Sequence, residues 1–129
     1  MKLTTKEWLS AAEDDLISAK KLVDEIRLTN IVAFHCQQCI EKGFKALIEE
    51  LLGISVKSHD LLRLKETANM FLSDDEMILL ATINEVYIDA RYPGDMGLMP
   101  QGKPTIAEAK RFILFSQFIL ERITGTIGS

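Results

Sequence analysis

The stretch from Ala33 to Ile48, AFHCQQCIEKGFKALI, restricts the fold more than any other part of the chain. At about 100° per residue, Ala33, Cys36, Ile40, Gly43, Phe44, Leu47, Ile48 and Leu51 gather into one broad apolar arc. An arc that wide belongs to a helix packed on several neighbours, so the stretch reads as the central helix of a helical protein. Two polar residues interrupt it. Gln37 falls between Phe44 and Ile48, and Glu41 between Ile48 and Phe34, one turn apart on the same side. A carboxylate and an amide facing a core need hydrogen-bond partners, because burial without them is costly. The rest of the chain must supply those partners.

With 129 residues the chain is long enough to bury one core, and it reads as one domain over 1–129. An apolar share of 47% beside 26% charged residues is that of an ordinary globular protein. The net charge of −4 argues against a chain whose whole surface is built to bind nucleic-acid phosphate. The cations are uneven, however: Lys20, Lys21, Arg27, Lys42 and Lys45 fall in the first two long helices, so a local basic groove stays open. Two cysteines, Cys36 and Cys39, form no disulfide framework and point to a reducing, cytoplasmic setting. Residues 1–5 lack the apolar core of a signal peptide, and no run approaches the ~18 apolar residues that a membrane span needs.

Thr4 and Glu7 have the spacing of a capping box, with Leu3 and Trp8 as a hydrophobic staple, which predicts a helix from about Thr5. Trp8, Ala12, Leu16, Ala19, Leu22, Val23 and Ile26 keep its period up to Leu28. The acidic cluster Glu13-Asp14-Asp15 reads as a solvated face, since adjacent helical residues point in different directions. Thr29-Asn30 supplies a turn and cap, and the central helix follows to Gly53, antiparallel to the first. Ser58 caps a shorter helix with Leu61, Leu62, Leu64, Ala68 and either Phe71 or Leu72 on its apolar side. His59, just before it, reads as a capping or surface histidine.

Ser73 and Glu76 form a second capping box, opening a helix through Leu80, Asn84 and Tyr87 to about Arg91. These four share one stripe, polar towards its C-terminal end. From Tyr92 to Pro104 the chain holds all three prolines and three of its seven glycines, a long loop and hence a functional candidate. Thr105 and Glu108 form a third box, opening a final helix to Gly125. Phe112 and Phe115 widen its apolar surface enough for burial on two sides, by its own bundle and by a second subunit. No segment alternates as a strand. The expected fold is all-α: an up-and-down antiparallel bundle of four long helices plus one shorter helix.

Cys36-Gln37-Gln38-Cys39 has the C-x-x-C spacing, but it lies inside a helix, without the preceding strand of a redox motif or a second ligand pair for zinc. It reads as buried and structural. His35, Gln38, Lys42, Lys45 and Glu49 read as a solvated face of the central helix. No Gly-rich phosphate loop, Ser-His-Asp or Cys-His set, or paired metal carboxylates can be recognised, and neither a metal nor a cofactor is expected. What remains is Gln37 and Glu41 facing inward, with the Tyr87-Arg91 end of another helix as the partner that meets them. An arginine–carboxylate pair there is either a structural clamp or the edge of an anion-binding groove.

At these residues the chain resembles the HEPN family, named for higher eukaryotes and prokaryotes and for nucleotide binding. The resemblance runs through Trp8, Ala12, Asp15 and Leu16, then from Phe34 to Leu47, then Ser58-His59-Asp60-Leu61, Tyr87 with Arg91-Tyr92-Pro93, and Glu108-Ala109. Its most specific parts are the Gln-Gln-x-x-Glu-Lys-x-x-Lys-Ala core from Gln37 to Ala46 and the Arg-Tyr-Pro end. It implies a helical bundle that pairs into a symmetric homodimer with a groove between subunits. It also implies one of two roles: partner of a separately encoded nucleotidyltransferase in a two-gene toxin–antitoxin module, or metal-independent ribonuclease. In the ribonuclease branch an arginine is followed, after a short spacer, by a histidine. Arg91 matches the arginine, but Tyr-Pro-Gly-Asp-Met-Gly follows it and no histidine does. The resemblance therefore favours binding of a nucleotide or RNA phosphate, with Arg91 on phosphate, Tyr87 and Tyr92 on a base or sugar, Lys42 or Lys45 adding charge, and Glu41, beside Gln37, orienting Arg91.

Overall fold

The computed structural model describes residues 1–86 in full, the helical backbone of 87–90, and residues 103–128. Among these residues the chain forms five α-helices and no strand: α1 (Leu3–Leu22), α2 (Thr29–Leu52), α3 (Leu61–Ala68), α4 (Asp74–Ala90) and α5 (Ile106–Gly128), with a single 3-10 turn at Ile26–Leu28. The expected bundle of four long helices and one short one is what forms, and none of its described helices is long and apolar enough to cross a membrane.

The central element is α2, which packs on every other helix. Val32, Ala33, Cys36, Cys39, Ile40, Phe44, Ala46, Leu47 and Ile48 are all buried. Each large side chain so buried contributes about 2 kcal/mol of apolar transfer energy. At Gly43 the two helices come close: a Cβ there would stand 3.0 Å from Ile123 Cδ1, so the end of that side chain would have to shift to admit one. Gly53 ends α2 at φ +68°, the left-handed conformation that other L-residues adopt only at a cost. Leu51, expected in the apolar arc, is exposed instead, bordering an open cleft with Leu47, Met70 and Phe71.

Helix ends separate into those set locally and those set by packing. Both boxes on α4 and α5 form reciprocally: Ser73 N–H donates to Glu76 Oε1 (2.8 Å) and Glu76 N–H to Ser73 Oγ (3.2 Å), and Thr105 and Glu108 repeat the pattern at 3.0 Å. The Thr4–Glu7 box does not form. Helix α1 already starts at Leu3, which puts Thr4 inside it rather than at its cap, and Lys2 N–H and the Thr5 hydroxyl both donate to Glu50 Oε1 at 3.0 Å, tying the start of α1 to the end of α2. These two donors hold the Glu50 carboxyl below its usual range.

Further expectations are corrected or settled. Helix α1 stops at Leu22, short of Leu28, and Thr29 is already helical, with no side-chain cap before it. The cap of α3 is Asp60, whose carboxylate accepts from Leu62 N–H, while Ser58 Oγ accepts from Asp60 N–H. Leu72 is buried and Phe71 is 78% exposed, which settles the choice between them. Helix α5 runs past Gly125 to Gly128.

Candidate functional site

Glu41 sits in the core side of α2, 3% exposed, and its carboxylate is fully used. Oε1 accepts from Gln37 Nε2 one turn earlier (3.1 Å), and Oε2 accepts from Lys45 Nζ one turn later (3.1 Å). The third partner comes from outside the helix: His59 Nδ1 lies 3.2 Å from Oε1 and 3.1 Å from Oε2. Facing an ionised carboxylate, Nδ1 is the protonated, donating nitrogen. His59 is half exposed while Glu41 is not, so a buried carboxylate holds an imidazole that reaches the surface.

Several contacts fix that imidazole in place. Gln37 Nε2 also donates to the His59 carbonyl (3.2 Å), and Gln38 Nε2 donates to Gln37 Oε1 (2.7 Å), which orients the amide. Immediately after His59, Asn84 of α4 clamps the start of α3: its Oδ1 accepts from Leu61 N–H (2.9 Å) and its Nδ2 donates to Asp60 Oδ1 (3.0 Å). His59 is thus positioned between α2 and the C-terminal half of α4.

Expectations and geometry can be compared residue by residue. Gln37, Glu41 and Lys45 do come together. Lys45, expected on a solvated face, is 8% exposed; its ammonium lies on Glu41 and 5.4 Å from the centre of the Trp8 ring, where packing of α1 on α2 has covered it. Lys42 points elsewhere, to a second cluster between α1 and α2, where Asp15 Oδ2 accepts from Lys42 Nζ (2.7 Å) and Asp15 Oδ1 from His35 Nδ1 (2.8 Å). Asp15, expected in a solvated acidic cluster, is buried by those two partners. The side chain of Tyr87, and Arg91 and Tyr92 altogether, lie outside the described residues, as does most of the loop that follows. Among the described residues Glu41 orients His59, and the expected pairing of Glu41 with Arg91 lies outside them.

The residue that sequence reasoning undervalued is His59. Its local signal, a histidine one position before a cap, describes many surface histidines; only the long-range approach of residues 58–61 to α2 gives it a buried carboxylate. The cysteines behave as expected. Cys36 and Cys39 are buried, and desolvation pushes each thiol up to about 12, so neither is a nucleophile at neutral pH.

A cleft of mixed polarity near the end of α2, about 360 Å3, is lined by Leu47, Ile48, Asn69, Met70, Phe71 and Arg122, with the Arg122 guanidinium donating to the Phe71 carbonyl (2.7 Å). It includes no member of the Glu41–His59 cluster.

The fold is similar to two crystal structures. An archaeal HEPN homologue, ST0689, is 26% identical, with a TM-score of 0.74 over 98% of this chain and 99% of that one. TT1696 from Thermus thermophilus is 23% identical, with a TM-score of 0.73 over 94% and 96%, a likeness of fold. No curated protein is significantly similar to the chain. The HEPN domain model matches residues 5–125, from the first turn of α1 to the last turns of α5. On that match, and on a bundle whose central helix carries the buried Gln37–Glu41–Lys45 row, the chain belongs to the HEPN domain family.

Proposed function

We propose that this HEPN-domain protein acts as a homodimer that binds a nucleotide or an RNA phosphate, as the partner of a separately encoded nucleotidyltransferase in a toxin–antitoxin-like module. One observation carries the site: the half-exposed His59 imidazole, held on the buried Glu41 carboxylate. In this reading Arg91 engages phosphate through charge-assisted bonds and His59 adds a donor or acceptor next to it. Tyr87 and Tyr92 stack on or hydrogen-bond the base or sugar, while Lys42, paired with Asp15, stays in the second cluster. Gln37, Glu41 and Lys45 hold the wall of the groove.

The reading is tested by thermal melts with a panel of nucleotides and short single-stranded RNAs. A ligand-dependent rise in melting temperature is expected, removed by Arg91→Ala and reduced by His59→Ala. No rise with any of them, from a folded protein, refutes the ligand part; failure to co-purify with a co-expressed nucleotidyltransferase from the same gene neighbourhood refutes the partner part.

The Glu41–His59 pair also favours a second reading, metal-independent cleavage of RNA. A carboxylate-oriented imidazole is suited to moving a proton at a ribose 2′-hydroxyl, and it supplies a histidine that the residues after Arg91 lack. RNA cleaved in the presence of a chelator by the native chain but not by His59→Ala supports it; RNA left intact by the native chain overturns it.

A further inference from the structure

The connection from α3 to α4 displays an aromatic ring. Asn69, at φ 54°, ends α3 in the left-handed conformation, and beyond it Met70 and Leu72 are buried while Phe71 between them is turned into solvent. Phe71 is tied down by α5. The Arg122 guanidinium donates to the Phe71 carbonyl at 2.7 Å and lies 5.7 Å from the centre of the Phe118 ring, so two contacts hold one cation in place.

Both residues border the cleft of about 360 Å3 at the end of α2, which is at the small end of the pockets that hold small molecules. Its floor is made of the buried Leu47, Ile48 and Met70. Its rim is apolar but wet: Leu51 and Leu52 of α2 are 56% and 54% exposed, and Phe71 more so. Arg122 is the one charged residue among those that line the cleft, and among the described residues it has no carboxylate partner. Its planar fork offers five N–H donors, of which the Phe71 carbonyl takes one. The cleft also receives the C-terminal ends of α2 and α3, whose last carbonyls carry partial negative charge. Such surroundings disfavour a dianion such as phosphate. They admit a planar, singly charged group that one guanidinium can hold by two parallel hydrogen bonds.

We propose that this cleft binds an apolar molecule carrying one carboxylate, of the class of aryl- and alkyl-carboxylic acids. The carboxylate takes the remaining donors of Arg122. The apolar body covers Leu51, Leu52, Met70 and the Phe71 ring, removing exposed apolar surface from water. Carboxylate and body are both needed, because neither a lone ion pair at a half-open site nor a small apolar contact holds a ligand by itself. The cleft shares no residue with the Glu41–His59 cluster, so this site does not depend on the nucleotide reading above.

The test is a methyl NMR titration of the native chain with octanoate, 4-phenylbutyrate, the primary amide of each, inorganic phosphate, and the dipeptide acetyl-phenylalanyl-leucine with a free C-terminus. Shifts confined to the methyl groups of Leu47, Ile48, Leu51, Leu52 and Met70 are expected, with a Kd on the order of 1 mM for the better acid. The amides and phosphate should bind at least about 10-fold more weakly. Arg122→Gln, which keeps a donor for the Phe71 carbonyl, should weaken the acids by about 10-fold or more. Leu51→Glu, at an exposed position, should abolish binding by placing a competing carboxylate in the cleft. Tighter binding of the dipeptide than of the free acids supports the site with a peptide C-terminus as the source of the carboxylate, and the reverse order supports it with a free acid. Acids and amides that bind equally, phosphate that binds as well as the acids, or acid binding unchanged in both Arg122→Gln and Leu51→Glu overturns the proposal. Binding removed by Arg91→Ala but kept in Arg122→Gln places the acids at the other site and overturns it as well, whereas absence of any shift at 20 mM acid overturns it and leaves the nucleotide reading untouched.

Discussion

Replacing Glu41 by glutamine keeps the shape of the side chain and its capacity to meet Gln37, but it removes the one carboxylate that Lys45 and His59 share. Lys45 is 8% exposed and its Nζ stands 3.1 Å from Glu41 Oε2. At that separation the attraction is about 5 kcal/mol for an effective dielectric constant near 20. Most of it offsets the desolvation of two buried charges, so the net worth of the pair is small. Breaking it from one side is a different matter: the surviving ammonium stays buried without its counter-charge, which costs about 3 kcal/mol. For a chain of this length the corresponding fall in melting temperature is about 10 °C. Lys45→Met should cost less, about 1 kcal/mol, because Glu41 keeps Gln37 and His59 as donors while the Trp8 contact is lost. With the lysine already gone, Glu41→Gln no longer strands a cation, so the double variant should be more stable than the sum of the single effects predicts, by at least about 1 kcal/mol. Urea unfolding of the four proteins measures this cycle. A Glu41→Gln protein within about 0.5 kcal/mol of the native chain, or strictly additive single effects, would refute the account of Glu41 as the buried anchor of this cluster.

Other outcomes follow from the same geometry. Gly43→Ala improves helix propensity by about 1 kcal/mol, yet its Cβ meets Ile123 at 3.0 Å in a fully buried contact, so chemical denaturation should show a net loss rather than a gain. Asn84→Ala leaves the buried Leu61 N–H without its acceptor and should cost about 2 kcal/mol, read by thermal unfolding. It should also lower the hydrogen-exchange protection of α3 more than that of α1. Burial raises both thiols from 9.0 to about 12 in the folded chain, so above pH 9 the unfolded chain releases its thiol protons first. Stability is therefore complete below pH 9 and falls as pH rises from there towards 12, by about 1 kcal/mol per cysteine at pH 10. The Cys36→Ala/Cys39→Ala double variant should lose that slope in a pH series of unfolding curves.

The family resemblance rests on residues that form the architecture of the central helix: the Gln37–Glu41–Lys45 row is buried and hydrogen-bonded along one side of α2. The Gln37–Glu41 part of that row is legible, because positions four apart fall on one helical face, whereas Lys45 reads as part of a solvated face. What Glu41 meets is not legible. The sequence offers Glu41 the Tyr87–Arg91 end of α4 and gives no sign of His59, whose approach depends on how the connection after Gly53 crosses the bundle. Residues 54–60 lead the chain back over α2 and set His59 on the carboxylate, a contact between residues 18 apart that no local period encodes.

The sequence by itself determined the helices and the caps on α4 and α5, because periodicity and capping boxes act within a few residues of chain. It also determined that the central helix carries one broad apolar arc, and that a carboxylate must be accommodated within it. Tertiary structure alone decided the rest. Packing of α1 across α2 turned Asp15 and Lys45 from surface charges into buried partners, and Glu50 drew away the donors that begin α1. Each of these outcomes depends on which side chains face each other across a helix interface. The energy of burying a charge is set by that neighbour, not by position along the chain.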